Sequence, residues 1–285
     1  FILMQLSPID AAEAYLRRIF TVDETRIEAV REQMGLNRPI VVQYLDWLYD
    51  LLHFDLGNSY VDNRDVFLIG GSALKETACI VLLSAVLQAV GALVLGVLLY
   101  LTRKNVIGKI LAFVSIAAIS IPAFYLATSF IDVVAVRWNL ISVSGNTGLM
   151  RYLPAALCLA VGGIAFFGQM LSKAIQQAMS EDSVLYSRCR GLSDPYIVVR
   201  YAMPQAVIST VPTFMQMMGM CMAGSAIVES IFSLPGLGYR IVNSLTNRDL
   251  PVIYATVLFL AFALVIFNIL ADIIQRLLQT RKGDL

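Results

Sequence analysis

Few side chains in this chain could do chemistry, and their spacing limits which chemistry. His53 is the only histidine, so an HExxH zinc helix, a Ser-His-Asp triad and a multi-histidine metal cage are all excluded. Set between Leu52 and Phe54, it reads as a packing or interfacial residue. Cys79, Cys158, Cys189 and Cys221 are scattered without ligand spacing and read as small buried hydrophobes. Met215, Met218 and Met222 recur along one helical face and offer soft thioether donors. The same stripe also suits an irregular core. No G-x-x-x-x-G-K-[ST] motif occurs, so the chain has no P-loop, and no cofactor is expected to bind it. Energy for any active process must come from a partner.

The elements that position these residues are apolar. Hydrophobic residues make up 58% of the 285, charged residues only 14%, and the mean hydropathy is +0.74. Soluble domains carry about 25% charge, so the composition points to a membrane protein. Residues 77–102, 110–131, 152–172, 201–228 and 250–271 hold no Asp, Glu, Lys or Arg, and each reaches the roughly 20 residues a spanning helix needs. Five complete spans are expected. "FILMQL" reads as the end of a further helix that begins before Phe1. Pro122 should bend the second run, and Pro204 and Pro212 should kink the fourth. Bent helices of this kind can line a pathway, which makes Pro122 and the three methionines candidate pathway residues.

Charge fixes the expected orientation. One set of connections carries Arg103, Lys104, Lys109, Lys173, Arg188, Arg190, Arg200, Arg276, Arg281 and Lys282, and the other only Arg137, Arg151, Arg240 and Arg248. The richer side should be cytoplasmic, the C-terminus with it. Asp132 and Asp272 sit at span ends, and the five runs hold no internal charge, which argues against a proton-coupled carrier or a charged selectivity ring. A net charge of +1 gives no footprint for nucleic acid.

Three regions follow: 1–7, the end of a first helix; 8–75, a polar extracytoplasmic helical subdomain; and 76–285, the transmembrane part. Region 8–75 has 11 acids against 7 bases. "TVDETRIEAVREQMGL" reads as a helix capped at Thr21 or Asp23 and stopped at Gly35. A second amphipathic helix should run from near Pro39 to Gly57.

One polar passage interrupts the apolar half. Within the connection 177–203, "SVLYSRCRGLSDP" reads as a short helix, a glycine stop and a second short helix. Ser180 can cap the first, whose positive end suits Glu181 and Asp182. Arg188 and Arg190 suit its C-terminus, and Gly191 takes the left-handed stop. Ser193 can cap the second, with Pro195 in its first turn. Leu185, Cys189 and Leu192 form a small apolar knob. Such a helix either lies on the lipid surface or docks onto a partner.

This passage resembles the cytoplasmic EAA loop of binding-protein-dependent ABC importer permeases, in the form found in the peptide/nickel permease family. Asp182, Val184, Tyr186, Arg188, Arg190, Gly191, Leu192 and Ser193 fit its character. Ser183, Ser187 and Cys189 depart from it, and Tyr201 stands where histidine is common. The segment 224–274 is similar to another block of that family, through Glu229, Phe232, Pro235-Gly236-Leu237-Gly238, Arg248-Asp249, Pro251, Asn268 and Asp272. "SPIDAAEAYLRR", "REQMGLNRPIVVQYLDWL" and "DLGNSY" resemble its earlier pieces, in the family's order.

The resemblance implies an all-α integral membrane protein with the six-helix ABC importer permease fold, its first helix incomplete here, in the bacterial cytoplasmic membrane. It implies a second homologous permease subunit, two cytoplasmic ATPase subunits that use the ATP, and an extracytoplasmic solute-binding protein. Asp182, Tyr186, Arg188, Arg190, Gly191, Leu192 and Ser193 would couple the ATPases to the membrane part, and the chain itself would not be an enzyme. "EAYLRR" leans towards nickel or another metal carried as a chelate. Di- or oligopeptide import is the alternative, and an ATP-independent channel or intramembrane enzyme the rival of another class.

Overall fold

Long apolar sequence with few breakers leaves the backbone one way to satisfy itself in hydrocarbon, which is the helix. The computed structural model describes residues 24–139 and 148–282, with positions 4, 12, 13 and 16. Apart from one isolated antiparallel bridge, Asn58 with Asp65, the regular structure of these residues is helical. The helices are α1 (Glu24–Gln33), α2 (Ile40–Leu52), α3 (Val66–Thr102), α4 (Val106–Ser120), α5 (Ala123–Phe130), α6 (Leu153–Ala178), α7 (Asp182–Cys189), α8 (Asp194–Ile197), α9 (Met203–Ile231), α10 (Leu237–Asn247) and α11 (Leu250–Lys282). The all-α expectation holds. Of the expected helix end at 1–7 only Met4 is described, and the Thr21 and Asp23 caps lie outside the described residues.

Among the described residues, four helical stretches are long and apolar enough to cross a membrane: Val66–Thr102, Leu153–Ala178, Asp194–Ile231 and Leu250–Leu277. The expected fifth span is broken. α4 ends at Ser120, Ile121 is extended, and α5 restarts after Pro122 at an angle of 93°. The residue before a proline is driven out of the helical region, so Pro122 ends one helix and opens another instead of gently bending one. At 15 residues, α4 is about 22 Å long, short of the roughly 30 Å hydrocarbon core.

The chain divides into two compact units, Phe1–Thr77 with Ser233–Phe262, and Ala78–Phe232 with Ala263–Leu285. The first therefore takes in a C-terminal segment that the 8–75 boundary left out, and α3 begins at Val66, ahead of that boundary. In this unit Val66 and Ile69 of α3 pack on Val252 and Ala255 of α11. α1 stops at Gly35, whose φ is +69°. α2 stops earlier than expected, because Phe54 turns left-handed and the Asp55 N–H donates back to the Asp50 carbonyl. His53 lies against the Tyr49 ring, with centroids 4.3 Å apart.

Two motifs far apart in sequence meet in this unit. Ser59 Oγ donates to Asp249 Oδ2 at 2.5 Å, and the Tyr60 N–H donates to Asp249 Oδ1 at 3.0 Å. Ser59 Oγ also accepts from the Val61 and Asp62 N–H groups, which folds the loop around it. Burial pushes the Asp249 carboxyl above the usual range, against the opposing pull of these hydrogen bonds. At Asp62 desolvation also pushes upward, but hydrogen bonds from the Arg64 side chain and backbone outweigh it and leave the carboxyl below its usual range.

In the second unit α3 and α6 approach through glycines. A Cβ at Gly96 would lie 3.0 Å from the Gly168 carbonyl oxygen, and one at Gly168 would lie 2.8 Å from Leu95. Small residues let membrane helices close in this way, where dispersion between backbones replaces the missing hydrophobic drive. Ala92, Phe167 and Met218 form the core where α3, α6 and α9 meet.

Candidate functional site

The polar passage sits at the end of α6 and is built as a supported turn. α6 closes with Ser180 N–H on Gln177 and Glu181 N–H on Ala178. Ser180 is therefore spent on the end of α6, where its hydroxyl donates to the Gln177 carbonyl at 2.7 Å. Glu181, not Ser180, takes the N-cap position of α7, and no side chain caps it. Asp182 lies in the first turn, Arg188 in the last, and Arg190 closes the helix. Gly191 then adopts φ +80°, with nothing within 4 Å of a Cβ placed there. Its requirement is conformational, not steric. Ser193 holds the N-cap position of α8 through its backbone, accepting the Ile197 N–H, and its side chain makes no cap bond.

The second short helix is not separate. α8 runs through a π-helical stretch, Val198–Ala202, directly into α9, so Asp194–Ile231 is one continuous element. Pro204 directly follows this π-helical stretch, and Pro212 lies further inside α9. Extra-wide turns of this kind recur at functional sites in helices. The Gly191 turn is thereby joined to a long apolar helix without an intervening loop.

Anchoring and display fall on opposite faces. Val184, Ile197 and Val198 are buried in one cluster with Tyr100 of α3, Leu171, Ile175 and Ala178 of α6, and Ala202 and Ala206. Leu192 packs half-buried against it. Ser187 is buried beside them and bonds the Ser183 carbonyl at 2.9 Å. Leu185, Tyr186 and Cys189 are exposed. The expected knob is thus corrected: Leu192 belongs to the anchor, and Tyr186, 67% exposed, joins Leu185 and Cys189 on the open face. The reading of every cysteine as buried fails at Cys189. Arg188 Nε bonds Asp194 Oδ1 at 2.9 Å across the turn, and Arg190 lies 5.9 Å from the Tyr186 ring centroid.

One contributor was not read from the sequence, and a second, Glu229, was marked there only by the family resemblance. Gln205 Nε2 donates to Glu181 Oε1 at 2.6 Å, tying α9 to the start of α7. Glu229, just beyond the charge-free run, lies inside the helix, fully buried, and accepts from Ser225 Oγ at 2.7 Å. The i, i+3 pair Val184 and Ser187 was the available signal for the anchored face.

The candidate pathway residues are spread out. Met218 and Met222 are buried in packing, Met215 is half-buried, and Pro122 is exposed at the corner between α4 and α5. Among the described residues no group of three or more His, Cys, Asp or Glu could hold a metal ion.

An all-α membrane part thus presents a short helix at the end of its spans. The chain belongs to the family of binding-protein-dependent transport system inner membrane components, whose model matches residues 92–284. It is 28% identical over 283 residues to the nickel import system permease protein NikB of Staphylococcus aureus, covering 99% of this chain and 85% of that protein. Its fold is similar to that of the MetNI methionine ABC transporter in inward-facing form, with a TM-score of 0.64 at 20% identity, over 74% of this chain and 97% of that one. An amino acid ABC transporter crystallised with histidines matches at a TM-score of 0.57 and 17% identity, over 74% and 94%.

Proposed function

We propose that this permease subunit imports nickel, or another metal carried as a chelate, and that α7 and the Gly191 turn receive the stroke of an ATPase subunit. The observation that carries the coupling role is the division of faces. Leu185, Tyr186 and Cys189 stand open while Val184 and Ile197 are sunk among α3, α6 and α9. A partner that grips the open face moves the spanning helices with it, as a rigid-body switch between two packed states. On this reading the coupling end and the C-terminus are cytoplasmic, region 8–75 is outside, and a second permease, two ATPases and a solute-binding protein complete the machine. The substrate reading rests on the likeness to a nickel import permease along nearly the whole chain, together with "EAYLRR".

The test is uptake of radiolabelled nickel, free and chelated, by cells with and without this subunit. Loss of uptake on deletion, restored by the chain but not by a Gly191→Val variant that still inserts, is the expected result. Unchanged nickel uptake in the deletion strain would overturn the metal reading, and loss of dipeptide uptake instead would establish the peptide alternative.

A further inference from the structure

At the same end of the second unit as α7, a cavity of about 220 Å³ opens between the end of α3, the start of α4 and the last third of α6. Arg103, Lys109 and Lys173 line it, with Gln169, Ser172 and Gln176 between them, and no carboxylate does. The one-sided charge is written into the sequence. Between Glu76 and Asp132, and again between Asp132 and Glu181, the chain has no acid at all. Lys109 and Lys173 form no ion pair among the described residues.

The cavity is held in shape. The Arg103 guanidinium lies 3.9 Å from the Tyr100 ring centroid and donates to the Tyr100 carbonyl at 2.7 Å. Gly108 brings the first turn of α4 so close that a Cβ would stand 2.1 Å from the Thr102 carbonyl oxygen. That approach sets Lys109 beside the end of α3. Asn105, at the N-cap of α4, makes no side-chain cap bond, so the positive end of a 15-residue helix adds to the field. The Gln169 amide is tied to Ser115 Oγ at 2.9 Å and that of Gln176 to the Ser172 carbonyl, which leaves the three cations as the ligand-seeking groups.

The flanks are apolar and open: Leu98 and Leu101 on α3, and Val106, Ile107 and Ile110 on α4, are all exposed. A site for a soluble anion has no use for such a rim. α3 and α6, both long and apolar enough to cross a membrane, end here, so the cations lie near a span boundary beside an apolar rim. Basic pockets between helices at this level suit anionic lipid headgroups.

We infer that this cavity binds the phosphate of an anionic glycerophospholipid, with its acyl chains lying along Leu101, Ile107 and Ile110. Tyr100 stacks on Arg103 and also packs in the cluster that anchors Val184 and Ile197, so the headgroup bears on the base of the α7 turn. Only the choice of leaflet rests on the orientation proposed above; binding does not.

The experiment is native mass spectrometry of the transporter purified with its partner subunits and exposed to dioleoyl-phosphatidylglycerol or dioleoyl-phosphatidylcholine. Basic residues beside a span favour anionic over zwitterionic lipid charge by charge. Retention of phosphatidylglycerol should therefore exceed that of phosphatidylcholine at least about tenfold and fall by a similar factor in Lys109→Gln/Lys173→Gln. Lys104→Gln, outside the cavity, should leave retention unchanged, and millimolar inorganic phosphate should not displace the lipid. Equal retention of the two lipids, or full retention in the double variant, overturns the inference. Displacement by phosphate would make it a soluble-anion site. Loss of ATPase subunits from the double variant with lipid retained would make it a protein-docking surface. The comparison of the two lipids on the unmodified protein stands even if a variant fails to assemble.

Discussion

Arg188 and Asp194 close the Gly191 turn from outside, with Nε and Oδ1 2.9 Å apart and side chains 45% and 63% exposed. At that exposure an ion pair is worth at most about 1 kcal/mol. The turn is held instead by the left-handed glycine and by the buried residues on either side of it. Arg188→Ala should leave the thermal midpoint of the assembled transporter nearly unchanged. Gly191→Val forces a β-branched residue to positive φ, at a cost of about 1–2 kcal/mol, and should leave ATP hydrolysis running while uptake stops. Normal uptake in the Gly191 variant would refute the coupling role.

The anchor makes a separate claim. Ile197 is fully buried, and truncating such a residue to alanine costs about 2–5 kcal/mol. Ile197→Ala should loosen the turn and speed tryptic cleavage at Arg188 and Arg190. Leu185→Ala, on the open face, should leave the cleavage rate alone and weaken co-purification with the ATPase.

Cysteine exposure reports orientation. Cys189 is exposed, Cys158 buried, and Cys79 and Cys221 half-buried. Once the ATPase subunits, which would cover this face, are stripped off, a membrane-impermeant maleimide should label Cys189 in inside-out vesicles and not in right-side-out ones, with Cys189→Ser abolishing the signal. The reverse pattern would invert the proposed topology.

Asp249 sets a pH dependence. Because burial raises its pKa above the ordinary 3.8, the folded state keeps this proton to a higher pH than the unfolded state does. The group favours folding below pH 3.8, and that contribution is lost as pH rises through the folded value. Asp249→Asn should flatten the fall in thermal midpoint above about pH 4. It should also lower the midpoint near neutrality, because one of the two donors, Ser59 Oγ–H or Tyr60 N–H, loses its acceptor.

Much of this architecture was legible because membranes reduce structure to few options. Charge-free runs located the long helices, and the Gly191 stop followed from capping chemistry. What escaped was tertiary. Pro122 announced an irregularity, but the size of the break depends on the α6 and α9 surfaces that α5 packs against. Ser180 looked like a cap until the end of α6 claimed it. Leu192 left the expected knob for the anchor and Tyr186 took its place, because a short helix shows no periodicity long enough to reveal its buried face. The meeting of Ser59 with Asp249, 190 residues apart, has no local signal at all.

The corner at Ile121 and Pro122 carries a consequence for stoichiometry. Pro122 brings no N–H, the first N–H groups of α5 have no helical acceptor behind them, and both corner residues are exposed. Bare peptide groups facing lipid cost several kcal/mol each, so such a corner persists only against protein or a column of water. A lone copy of this chain in a bilayer is thermodynamically unfinished there. On the reading proposed above, what covers that spot is the second permease subunit, or the passage the two enclose.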